Sequence, residues 1–271
     1  MPPFRYSLNS STIKPTPLLD KIRIAADAGY AGIEIWHDDV EAFLTAGGAL
    51  GDVRKALDDR GLEVPTTIYL KGWWDPAATD YSADMDVIKR RLEQAAALGA
   101  PHTVSGPPPQ QDVDYDLLSR QYRMLLELGR QFGVRPAFEY LGFVDEVNSL
   151  AKALRVIDGA DHPDATVVID PFHDFRGGSN HETIAQLQPG QIAVSHFNDA
   201  PATPAAHLQH DPDRVLPGDG CINLSRYVEL LRQTGYDRFV SLELFRADLW
   251  ERDPLEVARL GLEKMRAVCE A

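Results

Sequence analysis

Short apolar runs alternate along this chain with longer stretches of helical periodicity, and the alternation never breaks. Strand-like runs fall at Tyr6–Asn9, Gly32–Trp36, Glu63–Leu70, His102–Ser105, Arg135–Tyr140, Thr166–Asp170, Ile192–Phe197 and Arg238–Leu244. Helical patterns separate them at Pro17–Ala28, Leu50–Asp59, Met85–Leu98, Asp112–Phe132, Ser149–Ile157, His181–Leu187 and Leu224–Thr234, and Pro254–Val268 closes the chain. Gly29, Gly61, Gly99 and Gly133 stand where four of these helices should stop. Strands joined through helices run parallel. Eight such units, with no composition shift or low-complexity tract between them, predict one α/β domain over residues 1–271, a single (β/α)8 TIM barrel. The connection Asn198–Cys221 is longer than the others and is a functional candidate for that reason.

Four consecutive runs in the second half end in side chains able to hold a metal: FEY with Glu139, VVID with Asp170, AVSHF with His196 and VSLELF with Glu243. A carboxylate at the exit of an apolar strand is costly in a core. At the C-terminal ends of barrel strands five to eight, the four side chains converge on the face where barrels carry out their chemistry. Three carboxylates and one imidazole suit one divalent cation, with Mn²⁺ the expected ion and Mg²⁺, Co²⁺ or Zn²⁺ as alternatives. For any one of them alone, a salt-bridged loop residue is the plainer reading; four in consecutive units favour a shared site. Glu34 and His37 end the second strand on the same rim, Glu34 as a substrate or supporting contact and His37 as a structural hydrogen bond. Trp73 and Trp74, in KGWWD after strand three, are candidates to cover the apolar side of a sugar. Asn9 and Ser105 read as turn formers, His102 as structural, Asp199 as a loop-start cap, Asp219 as a turn residue, and Arg246 as a possible substrate or subunit contact.

A formal net charge of −14 argues against a nucleic-acid backbone as the natural partner. Two cysteines, Cys221 and Cys269, give no disulfide framework and suit the cytoplasm. The segment MPPFRYSLNSS lacks the pattern of a signal peptide, and no run has the length of a membrane span.

In GYAGIEIW, FEYLG, VVIDPFH, SHFND, LPGDG and SLELF, in this order and spacing, the chain resembles the xylose-isomerase-like barrels, the sugar isomerase/epimerase superfamily. The stretch from DRVLPGDG to LEKMR is most similar to the inosose isomerase branch, with the ketose 3-epimerases next. The resemblance implies that Glu139, Asp170, His196 and Glu243 hold the metal, and that Glu139 and Glu243 also serve as the acid/base pair. It further implies that His173 and Arg214 contact substrate, and that the protein is a homodimer or homotetramer. A metal-polarised ketone acidifies its neighbouring C–H, one glutamate takes that proton to give an enediolate, and the other returns one.

Two departures from relatives narrow the activity. Asp213-Arg214-Val215 stands where the superfamily's zinc-dependent AP endonucleases carry Asp-Arg-His, and Leu141 stands where its dehydroshikimate dehydratases carry histidine. The expected function is a metal-dependent isomerase or epimerase of a small keto-sugar or inosose. A lyase using the same enolate is the alternative; a non-catalytic binding barrel and a nuclease rank behind both.

Overall fold

The computed structural model describes residues 4–271, so the first three residues of the N-terminal segment lie outside it. All eight strands form: β1 (Arg5–Asn9), β2 (Gly32–Trp36), β3 (Thr66–Leu70), β4 (His102–Ser105), β5 (Arg135–Glu139), β6 (Thr166–Ile169), β7 (Ile192–Phe197) and β8 (Phe239–Leu242). They pair in parallel, in chain order, and β1 closes on β8 with Ser7 opposite Ser241 and Leu8 opposite Leu242. The third strand is shorter than its β-branched run suggests. Pro65 has no N–H to give a ladder, and Glu63 makes only an isolated bridge to Gly32.

Helices α1 (Leu18–Ala28), α2 (His37–Thr45), α3 (Leu50–Asp58), α4 (Tyr81–Leu98), α5 (Tyr115–Phe132), α6 (Leu150–Ala160), α7 (Pro171–Arg176), α8 (Leu224–Gln233), α9 (Ala247–Trp250) and α10 (Pro254–Cys269) surround the barrel. Helix α2 is absent from the sequence reading because it follows β2 with no connecting loop, although Asp38 and Asp39 supply the acidic first turn that favours a helix start. The expected helix His181–Leu187 is a 3-10 segment, His181–Gln186. No helix of the described residues is long and apolar enough to cross a membrane.

Side-chain alternation decides what reaches the barrel mouth. On β5, Ala137 joins the lumen cluster with Ile68, Val104, Val168 and Val194, while Phe138 packs outward against Tyr122 and Trp73. Two residues beyond Ala137, Glu139 returns to the inner face. The same step leads from Val168 to Asp170, from Val194 to His196 and from Ser241 to Glu243. On β4 it leads from Val104 to Gly106, where a Cβ would fall 2.2 Å from the Tyr69 hydroxyl. The missing side chain leaves room for Tyr69 at the mouth.

Candidate metal centre and substrate cavity

Parity and register bring the four strand-end residues together. His196 Nδ1 lies 2.9 Å from Glu139 Oε1, 3.1 Å from Glu243 Oε2 and 3.7 Å from Asp170 Oδ2. One donor atom from each residue falls within 4.8 Å of the others, and all four residues are buried. His196 Nδ1 and Glu139 Oε1 have no hydrogen-bond partner among the described residues, so their close approach is not directed along an N–H. Buried donors that crowd one point without bonding each other fit a shared cation.

The surroundings hold these donors in place. Glu34 lies 3.4 Å from His196 Nε2, which directs the ring's other nitrogen to the centre. Asp170 caps α7, accepting from Phe172 N at 2.7 Å and from Asn198 Nδ2 at 3.2 and 3.3 Å. Arg214 Nη1 donates to Asp170 Oδ2 at 2.6 Å and to Glu243 Oε2 at 3.1 Å, while its Nε and Nη2 donate to Asp211 at 3.0 and 2.8 Å. Four of its five N–H groups are thus committed, and the fifth faces His173. The long seventh loop delivers Arg214 because Asp199 gathers it. Asp199 accepts backbone N–H groups from Ala200, Gly218, Gly220 and Ile222, and a Cβ on Gly220 would lie 2.3 Å from its carboxylate.

Burial raises the Glu139 carboxyl to about 7, an effect that His196 only partly offsets. Burial would also raise Asp170, but Arg214, His173 and His196 outweigh it and hold that carboxyl well below the usual range. Burial would lower His196, yet Glu243, Glu34 and Glu139 hold its imidazole well above the ordinary value. With no ion bound, the surrounding carboxylates thus favour the charged form of the His196 ring. A bound cation would take the place of that charge and release the ring proton.

Above this floor opens a cavity of about 270 Å³. Glu139, Glu243, His173 and Arg214 line its polar side, and Trp36, Tyr69, Phe143 and Phe245 its aromatic side. Gly142 N donates to His173 Nδ1 at 3.2 Å, and Arg214 Nη2 stands 3.1 Å from its Nε2, which fixes the ring between the loop and the guanidinium. Burial, with Arg214 beside it, lowers this histidine to about 4.

Several expected contacts lie elsewhere. Trp73 is 1 % exposed and packs between Tyr122, Phe138 and Trp74, in the layer between strands and helices. Filling that layer buries more of the indole than a rim position could. Trp74 borders a different hollow with Pro108 and Val113. Glu34 is fully buried beneath His196, with Thr66 Oγ1 and Asn9 Nδ2 as further partners, and supports the centre instead of meeting substrate. His37 is structural, 2.7 Å from Gln94 Oε1. Arg246 pairs with exposed Asp248, and Asp219 with Lys264. Conversely, Asn9, Trp36, Tyr69, Phe143, Asn198 and Asp211 are at or beside the site without having been singled out for it. Of these, Asn9 and Trp36 carry a signal in the sequence, since each closes a strand on the inward parity.

The family model described as xylose isomerase-like TIM barrel matches residues 22–268. The chain belongs to that family. Among its relatives, the inosose isomerase of Halalkalibacterium halodurans is 29% identical over 63% of this chain, and that of Bacillus subtilis is 30% identical over 60%. These matches span 62% and 61% of the relatives' own lengths. A 3-dehydroshikimate dehydratase of Pseudomonas putida is 25% identical over 84% of this chain and 36% of its own length. The barrel is similar to the crystal structure of IOLI protein with a binding zinc atom, with a TM-score of 0.90, 22% identity and 98% of each chain covered. The structure of an L-ribulose 3-epimerase superposes with a TM-score of 0.78 at 17% identity, covering 100% of this chain and 95% of its own.

Proposed function

We propose that this xylose isomerase-like barrel is a divalent-metal-dependent isomerase or epimerase of small neutral polyhydroxy ketones, an inosose or a ketohexose. The observation that carries this reading is the meeting of Glu139 and Glu243. They come from β5 and β8, lie 2.9 and 3.1 Å from His196 Nδ1, and both line the cavity. A divalent ion held by Glu139, Asp170, His196 and Glu243 supplies polarisation of the ketone and acidifies the adjacent C–H. Glu139, whose Oε1 no described N–H restrains, takes the proton from that carbon. Glu243, held by Asn9 and Arg214, returns a proton from the other side, inverting the carbon or serving its neighbour. His173 and the Arg214 guanidinium line the cavity where oxygen charge develops, and Arg214 offers it positive charge. The aromatic wall covers the apolar face of a ring and excludes water.

Charge favours a neutral substrate. Arg214 is the one Lys or Arg among the described residues lining the cavity, and its donors are largely taken by carboxylates. The likeness to a 3-dehydroshikimate dehydratase keeps elimination from the same enolate as a second reading. A carboxylate-bearing substrate would, however, find little positive charge here beyond the ion.

The test is mass spectrometry of inososes, fructose, tagatose and psicose incubated in D₂O with the Mn²⁺-loaded protein. Deuterium gain on an unchanged skeleton is expected. Gain with loss of water would establish elimination, and turnover undiminished in Glu243→Gln would overturn the acid/base assignment.

A further inference from the structure

Asn9 closes β1 on the inward parity, two residues past Ser7, and is fully buried. Its amide orientation is fixed by its neighbours. Trp36 Nε1 and the backbone N of Ser11 can only donate, and both point at Oδ1, at 2.9 and 3.0 Å. The NH₂ end must therefore face the carboxylates, and it donates to Glu243 Oε1 at 2.9 Å and to Glu34 Oε2 at 3.3 Å. That leaves Glu243 Oε2 as the oxygen turned to His196 Nδ1. Glu34, the second acceptor, is the group behind His196 Nε2. One side chain thus braces two of the four candidate ligands, Glu243 directly and His196 through Glu34. Its own anchor, the Trp36 ring, lines the cavity and meets Phe245 edge-on at 5.8 Å.

We propose that Asn9 is a positioning residue of the metal centre, locked by the Trp36 indole N–H so that Glu243 presents a single oxygen to the ion and His196 is held from behind. The inference rests on the metal-centre assignment made above. It gives Asn9 a role beyond capping the 3-10 turn Ser10–Ile13, the only task its position at a strand end suggests. It also makes the aromatic wall and the ligand brace one connected unit, so that Trp36 serves the metal centre as well as the cavity.

The test is an electron paramagnetic resonance titration of free Mn²⁺ against the wild type, Asn9→Ser, Trp36→Phe and the double variant, with thermal melting alongside. Serine keeps an oxygen to cap the turn but cannot reach Glu243. Trp36→Phe leaves the cap intact and removes the locking N–H together with part of the ring, so the two single variants guard against loss of fold in either. The expected result is Mn²⁺ affinity about ten- to a hundred-fold weaker in Asn9→Ser, with cooperative melting lowered by no more than a few degrees. Trp36→Phe should also weaken binding, and the double variant should bind no worse than Asn9→Ser, because the lock acts only through Asn9. Wild-type affinity in Asn9→Ser would overturn the proposal, and additive losses would overturn the lock. A wild type that binds no Mn²⁺ would refute the metal centre itself, before any variant is compared. Failure to turn over any ketone would count against the proposed reaction alone, since this readout needs no substrate.

Discussion

Replacing Arg214 by methionine removes the one permanent cation at the centre while keeping much of its volume. Its guanidinium is 1 % exposed and lies 2.6 Å from Asp170, 2.8 Å from Asp211 and 3.1 Å from Glu243. Breaking a buried ion pair by deleting one partner costs about 3–5 kcal/mol, because the charge left behind has no compensation. For a chain of 271 residues each kcal/mol moves the melting temperature by about 2 °C, so the ion-free variant should melt roughly 6–10 °C below wild type. Mn²⁺ at a hundred times its dissociation constant stabilises a native state by about 2.7 kcal/mol, or about 5 °C on the same scale. The ion then meets carboxylates that Arg214 no longer neutralises, so Mn²⁺ should raise the melting temperature of Arg214→Met by more than it raises that of wild type. Differential scanning calorimetry in EDTA and in Mn²⁺ reads both quantities. An ion-free variant that melts with wild type, or a smaller Mn²⁺ shift in the variant, would refute the electrostatic account of the centre.

Three further expectations follow from other residues. Glu139→Gln and Glu243→Gln should each lower kcat by about 10²–10⁴ in a deuterium-exchange assay, and near-normal exchange in either would remove that glutamate from the proton path. Trp73→Ala should cost about 3–5 kcal/mol in urea unfolding and leave KM unchanged, whereas a raised KM in a folded variant would return Trp73 to the substrate site. Burial lowers His102 to about 3, so the unfolded chain binds this proton first as the pH falls below about 6.5. The stability this histidine contributes is complete above that pH and is lost toward pH 3. Ion-free His102→Asn should therefore show a shallower fall in urea midpoint from pH 7 to pH 5 than wild type, and identical slopes would contradict the neutral buried state.

The strand ends were legible in the sequence because a two-residue period leaves little freedom: once eight parallel strands close, Glu139, Asp170, His196 and Glu243 can only rise on the inner face. Arg214 was reached through resemblance alone, since no local pattern says that Asp199 will fold the long loop back to deliver it. Asn9 read as a turn former because its partners Trp36, Glu34 and Glu243 are distant in the chain and meet it only when β1 lies between β2 and β8. The paired tryptophans misled for the opposite reason. Local sequence shows aromatic surface near a strand end, but only packing against Tyr122 and Phe138 determines that Trp73 turns away from the mouth. Trp36, Tyr69, Phe143 and Phe245 then supply the aromatic wall assigned to the KGWWD segment.

Anomalous diffraction at the manganese edge, from crystals of the protein grown with Mn²⁺, tests the central claim most directly. One anomalous peak is predicted at the barrel mouth, in contact with Glu139, Asp170, Glu243 and Nδ1 of His196. A manganese-replete crystal with no peak at that point, or with the ion held by other residues, would contradict the account.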